Sequence, residues 1–307
     1  MLSCSDSHWP SFLQIFKRQP STLALLGLFM LMYLPLLWHW TDGWLNKSIS
    51  LEHEYFSHGL LGIPLATYIA WEKRHVWFAL PQIKKIASSQ LVGGGILLAS
   101  VLAYMSGMID VINLSLPLML AGLCLWLKGT RGLRIMAVPL ILVTLATPNE
   151  LPYLIAPYAL PLQQFIAGVA GFILFQLGID VEVFNIYLYV NERAVEVAPH
   201  CAGLKMLFTS LYVALALLYW SHSIKHRQTI LPFLVGTATI SVTANIIRNT
   251  LLSYFHGTDQ TAAFVWLHDS WGGDLYSALM LGSLIPLLQL VDRWFIPQKT
   301  PVNHPSL

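Results

Sequence analysis

Cys201, Arg248 and His268 are the three side chains of this sequence best suited to act together in chemistry. A thiolate attacks carbonyl carbon, a guanidinium offers a fixed cationic fork of donors to an oxyanion or a carboxylate, and an imidazole exchanges protons near neutral pH. Each also has an ordinary reading. Taken alone, Cys201 is a small packed hydrophobe, Arg248 is a side chain snorkelling from a helix end, and His268 is a structural group near a membrane boundary. Placement sets them apart. Cys201 lies in EVAPHCAGL (196–204), between a short alternating segment and a long apolar run, two residues before Gly203. A helix beginning near Gly203 would aim its positive end at the thiol and lower its pKa, as would a nearby cation. Arg248 lies in SVTANIIRNTLLSYF (241–255), where a membrane-embedded Arg costs roughly 2.5–3.5 kcal/mol and so faces a polar interior. Asn245, Arg248 and Asn249 are spaced i, i+3, i+4 and share one helix face. His268 sits in FVWLHDSWGGDLY (264–276), with Asp269 and Asp274 close in sequence as candidates to orient it.

The elements that must position these residues are membrane helices. Only 10% of the 307 residues are charged and 56% are hydrophobic, against about 25% charged in soluble domains. Several apolar runs approach the ~20 residues that span a bilayer as helix. The expected fold is an all-α polytopic membrane protein with about eight transmembrane helices. The expected spans are about 22–40, 59–79, 91–108, 112–127, 135–147, 203–220, 229–248 and 271–294, with polar loops at 41–58, 128–134 (KGTRGLR), 221–228 and 249–270. Pro148, Pro152, Pro157 and Pro161 break the first part of the stretch at 149–178, and the apolar remainder, 165–178, is short for a crossing. This stretch is expected to be interfacial or re-entrant. Residues 180–198 alternate apolar and polar side chains and predict a small extracytoplasmic β-hairpin turning near 191–193.

Charge placement orients the map. With residues 149–202 not crossing, all of the 17 basic residues except Lys47, Arg193, Lys205 and Arg248 fall on the side of the N-terminus. Lys and Arg enrich cytoplasmic loops, so both termini are expected in the cytoplasm. The domain reading is a cytoplasmic tail at 1–21, one membrane domain at 22–294 and a cytoplasmic tail at 295–307, in the inner (plasma) membrane. This map puts Cys201, Arg248 and His268 at the outer leaflet on three consecutive crossings.

Several chemistries are excluded. No basic block marks nucleic-acid binding. HEYFSH (53–58) is not HExxH, because position 57 is Ser, and no CxxC or Cys/His spacing suggests zinc. Cys4 lies in the tail and Cys124 mid-span, where it reads as a packed thiol; His200 reads as an interfacial side chain. There is no GxSxG, P-loop or GxGxxG, and no Ser/Lys pair stands out as an intramembrane serine protease signal, with Ser253 and Ser270 left open. No metal or organic cofactor is implied.

Three short motifs in order then resemble those of the exosortases and archaeosortases, multi-pass transpeptidase-like membrane proteins. Cys-Ser-Gly-aliphatic before a helix is CAGL here (201–204), Asn-x-x-Arg at the outer end of the next is NIIR (245–248), and His before the final helix is HDSWGG (268–273). YFSHGLLGIPLATYIAW (55–71) and PLQQFIAGVAGFILFQLGI (161–179) resemble further family segments, so the resemblance covers roughly residues 54–290. The chain departs from the pattern at Ala202, at Pro199 and His200, and in a hairpin without a Gly-rich, Pro-containing turn. The resemblance implies a cysteine-dependent protease or transpeptidase with Cys201, Arg248 and His268 as its catalytic residues. It implies secreted substrates bearing a C-terminal Pro-Glu-Pro-like motif, a transmembrane helix and a basic tail. Asn245, Asn249 and Asp269 are supporting candidates, and the acceptor is not specified. Two other classes stay open on the residues alone: a transporter of a lipid-linked saccharide anchored by Arg248, and a non-catalytic assembly subunit of an envelope or polysaccharide system.

Overall fold

A computed structural model describes residues 20–46, 55–81, 88–197 and 203–295. Pro199, His200, Cys201 and Ala202 lie outside the described residues, as do His53 and the basic residues Lys17, Arg18, Lys47, Lys84, Lys85 and Lys299. The chain is mostly helical. In order it forms α1 (Pro20–Asn46), α2 (Gly59–Glu72), α3 (Arg74–Ala79), α4 (Ser88–Tyr104), α5 (Ile109–Ile135), α6 (Ala137–Ala146), α7 (Leu151–Ile155) and α8 (Leu160–Gln176). Then follow β1 (Val181–Phe184), β2 (Tyr187–Val190), β3 (Arg193–Glu196), α9 (Leu204–Trp220), α10 (Arg227–Gly257), α11 (Thr261–His268), α12 (Trp271–Gly282) and α13 (Leu284–Phe295). Among the described residues three helical stretches are both long and apolar enough to cross a bilayer: α5, α10, and α12 with α13 taken together. Shorter apolar helices include α4, α6, α8 and α9.

Three of the four buried clusters among the described residues divide the helices between them; the fourth joins Tyr55, Phe56, Ala159 and Leu204. The first joins α1, α2, α5 and α6 through Tyr33, Trp40, Ile69, Leu116, Leu142 and Ala146, with Tyr212 of α9 reaching in. Its aromatic residues bring polar tips that need partners in a dry interior. Trp40 Nε1 donates to Asn113 Oδ1 at 2.8 Å, and Tyr33 donates to Ser115 Oγ at 3.0 Å. The second cluster packs Ala214 and Leu218 of α9 against Phe233 of α10 and Leu284, Leu288 and Val291 of α13. The third sets Ile166, Ala170 and Leu174 of α8 against Leu188 and Val190 of the sheet and Ile246 of α10. Helix α10, with 31 residues, is about 46 Å long. It passes from the second cluster to the third and is the spine that links them.

The structure corrects the expected element boundaries in several places. The loop at 128–134 is helical: it continues α5 beyond a kink at Gly129, whose φ of 62° and ψ of −159° break the regular ladder. Gly132 then packs against Trp77 and the Cys124 carbonyl, and Lys128 donates to Leu80 O at 2.8 Å. The loop expected at 249–270 is also mostly helical, because α10 runs on to Gly257 and α11 occupies Thr261–His268. Hydropathy falls where α10 becomes polar, but the helix itself does not stop there. The proline-rich stretch holds α7, a short 3₁₀ turn and then the 17-residue α8, with a proline in its first turn, where a missing N–H is harmless. The expected hairpin is a three-stranded antiparallel meander in the order β1-β2-β3. Its register pairs Glu182 with Tyr189 and Tyr189 with Ala194. The second turn, at Asn191 and Glu192, is the one expected; the first, at Asn185, escapes a reading based on alternation alone. Cys124 is free and partly buried, in keeping with a packed thiol.

Candidate active site

Part of the polar face of α10 is satisfied within the helix itself. Asn245 and Asn249 are 1% and 2% exposed. Asn249 Nδ2 donates to Asn245 O at 2.9 Å, and Thr250 Oγ1 donates to Ile246 O at 2.9 Å. Polar side chains satisfied by the preceding turn can be buried at little cost. Asn245 and Arg248 are not satisfied in this way. Among the described residues, both carboxamide atoms of Asn245 and Nε of Arg248 are buried without a hydrogen-bond partner. Arg248 makes one long contact, Nη2 to Leu267 O at 3.5 Å.

Helix α9 supplies the opposite wall. Gly203 caps its start in the left-handed region, with φ of 77°. A Cβ at Gly203 would lie 2.7 Å from Asn245 Cγ, so the absence of a side chain lets the start of α9 press against the carboxamide. The first backbone N–H groups of α9 have no acceptor within the helix, and with the helix dipole they make this end electropositive.

The third wall is the junction of α11 and α12. His268 ends α11, its ring stacks on Phe264 with centroids 5.2 Å apart, and its Nδ1 lies 2.6 Å from Asp269 Oδ1. Such a carboxylate orients the imidazole and leaves Nε2 available for proton exchange. The glycines of HDSWGG make the junction possible. A Cβ at Gly273 would meet Leu267 O at 2.7 Å and one at Gly272 would meet Trp266, so only glycines let the first turn of α12 fold back against the end of α11.

The walls enclose a cavity of about 660 Å³. Its lining includes Asn245, Arg248, His268 and Asp269, so four of the six residues singled out in the sequence meet in one place. Asn249 lies instead on an adjoining cavity of about 210 Å³, which it shares with His268, His256 and Glu196. Cys201 is outside the described residues, but Gly203, two residues later, abuts Asn245 of the cavity wall. The sequence reading did not single out Lys205, Thr209, Ser277 or Ser57 for the lining, where all four occur together with Asp274. Ser57 belongs to the YFSH segment and was legible there as part of a motif without a role. Lys205 was legible as a charge in the first turn of an apolar run.

The strand that leads toward Cys201 is pinned from above. Arg193 forks onto Asp259, with Nη2 donating to Oδ2 at 2.7 Å, and also donates to His256 O at 3.2 Å. Asn191 Nδ2 donates to Gly257 O at 3.0 Å. The Arg193 guanidinium holds the Asp259 carboxyl below the usual carboxylate range. At the other side Gln163 Nε2 donates to Val197 O at 2.8 Å. β3 and Val197 are thereby tied to the end of α10 and to α8.

This arrangement can hold a peptide carbonyl beside a cation and a carboxylate-oriented imidazole. The family model described as Transmembrane exosortase matches residues 44–285 of the chain. No curated protein and no solved structure matches it.

Proposed function

The chain belongs to the transmembrane exosortase family, and from that membership we propose that it is a cysteine-dependent sorting enzyme of the cell's inner membrane. Its substrates are secreted proteins with a C-terminal Pro-Glu-Pro-like motif, a transmembrane helix and a basic tail, cleaved at the outer face and linked to envelope or exopolysaccharide systems. The observation that carries this reading is the convergence of Arg248 and His268, from separate helices, on the cavity whose Asn245 wall touches Gly203. Cys201 precedes Gly203 by two residues in sequence, and two residues of chain reach at most about 7 Å.

The chemistry follows from the groups. The Cys201 thiol gives its proton to His268, and the thiolate Sγ attacks the scissile carbonyl carbon. The negative charge that develops on oxygen faces the unpaired Nε of Arg248, where a preorganised donor stabilises it most. The C–N bond breaks, the His268 proton passes to the leaving amine, and a thioester remains on Cys201. An acceptor nucleophile, or water, then attacks the thioester, gives its proton to His268 and releases the thiolate.

Topology supports the same reading. We take the eight-crossing arrangement with cytoplasmic termini, and α8 as interfacial. Helix α8 lies along the sheet: Gln164 Nε2 donates to Asn185 Oδ1 at 2.7 Å, Gly171 abuts Val183, and Leu174 packs with Leu188. The sheet, the outer part of α10 and the cavity then stand on one side. The test is to express the chain with a signal-bearing protein and follow C-terminal processing. Wild type should process it and Cys201→Ala should not, while still inserting in the membrane. Full processing by Cys201→Ala would remove the nucleophile and the reading with it.

A further inference from the structure

We propose that Asn245 clamps the main chain of the substrate, pairing at once with the N–H and the C=O of a single extended residue next to the scissile bond. This rests on the cysteine-enzyme reading above and adds to it the recognition element that sets the peptide's path. Asn245 is 1% exposed, lines the cavity, and has neither Oδ1 nor Nδ2 paired among the described residues. Leaving a buried amide unsatisfied is costly, and native interiors leave few such groups. The side chain is held in place: its own carbonyl accepts from Asn249, and Gly203 packs on its Cγ and Nδ2.

A carboxamide fixed with one donor and one acceptor side by side matches a partner with an acceptor and a donor side by side. An extended peptide residue is such a partner, because its N–H and C=O point to the same side, as in an antiparallel ladder. A phosphate or carboxylate ligand would satisfy Nδ2 and oppose Oδ1. The two functions of the cavity are thus separate. Asn245 reads main chain without regard to side chain, and the charged groups around it, Arg248, Lys205, Asp269 and Asp274, meet the rest. The clamped residue cannot be proline, which lacks the N–H. In a Pro-Glu-Pro-like motif this selects the residue between the prolines or a neighbour outside them.

The experiment uses the full chain in membranes and a synthetic signal peptide that it processes, N-methylated at one non-proline position at a time. N-methylation removes one donor. At one position it should lower kcat/KM of the wild type by about tenfold, the loss of one hydrogen bond to a buried partner. In Asn245→Leu the same peptide should be processed no worse than the unmethylated one, while methylation elsewhere acts alike on both enzymes. If Asn245→Leu fails to insert, Asn245→Asp, which keeps the shape and loses the donor, is scanned instead against the paired carbonyl, replaced by a thioamide, with the same pattern expected at one residue. Absence of a sensitive position in the wild type, or a penalty that persists unchanged in the Asn245 variant, overturns the clamp. Failure of the cysteine reading is seen separately, as processing that survives Cys201→Ala.

Discussion

Gly203→Ala tests whether the start of α9 and Asn245 are fitted to one another as the geometry requires. The substitution meets two obstacles. At φ of 77° and ψ of 8° an alanine occupies the left-handed region, at a cost of roughly 1–2 kcal/mol. The new Cβ also falls 2.7 Å from Asn245 Cγ, 2.8 Å from Nδ2 and 3.0 Å from Cβ. These atoms belong to a side chain rooted in the interior of α10, so the clash resembles overpacking, about 1–3 kcal/mol more. Together the two effects come to about 2–5 kcal/mol. The strain is relieved by moving the start of α9 or by turning the carboxamide, and either displaces the site by a sizeable fraction of an ångström. A misplacement of 1 Å costs about 10²-fold in rate, so substrate processing should fall by about that factor while the protein still inserts. Asn245→Ala removes Cγ and Nδ2, the two closest atoms. The stability losses of Gly203→Ala and Asn245→Ala should therefore be less than additive when combined, read as resistance of the membrane-inserted protein to heat and protease. Wild-type processing and wild-type resistance in Gly203→Ala would refute the close fit of Gly203 to Asn245.

Arg248→Lys should lower turnover by about 10²-fold, the worth of one oxyanion donor, because Lys lacks the planar fork and the Nε donor; unchanged turnover would mean that Nε does not face the reacting oxygen. His268→Ala should lower turnover by about 10²–10⁴-fold and flatten its dependence on pH between 5 and 8; a variant that keeps the wild-type pH profile would take the proton-transfer role away from His268. The Arg193–Asp259 tie predicts a specific response to acid. Asp259 titrates lower in the folded protein than in an unfolded chain because Arg193 bonds its charged form. Its contribution is thus complete above the ordinary carboxyl value, about 3.9, and is lost as pH falls through the lower folded value. Hydrogen exchange in β3 and at the start of α11 should rise only in that acid range in the wild type, and already at neutral pH in Asp259→Asn. Equal exchange in the two proteins at neutral pH would show that the tie does not hold the strand.

How much of the site could be read in advance depended on how each residue announces itself. Arg248 did so because a charge in an apolar run is costly, and Asn245 followed from it by helical spacing. Asp269 was adjacent to His268 and turned out to be its partner. Asn249 shares the helix face but turns its amide back onto Asn245 O and borders the neighbouring cavity, a distinction that spacing cannot make. Lys205 comes to the cavity with the first turn of α9, and Ser57 comes from a segment remote in sequence from the other walls, which only packing brings there. The fold shows a similar division. Apolar runs locate most helices, yet the outer part of α10 reads as a loop. Asn249, Thr250, Ser253 and His256 lower the hydropathy there without weakening the helix, because that part packs on α8 and the sheet. Helix α11 has eight residues and no side-chain cap, so nothing local marked it. At Gly129 the backbone geometry, invisible in hydropathy, bends α5 and joins to it a basic segment that resembled a loop.

The central claim is that Cys201 forms a thioester with the substrate in the cavity bounded by Arg248 and His268. The most direct measurement is intact-mass analysis of the full chain, recovered from membranes after reaction with a signal peptide, with and without hydroxylamine. The account predicts an adduct on Cys201 equal in mass to the acyl portion upstream of the cleavage site. Hydroxylamine should remove it, and Cys201→Ala should lack it. Processing of the peptide without an adduct on Cys201, and undiminished in Cys201→Ala, would contradict it.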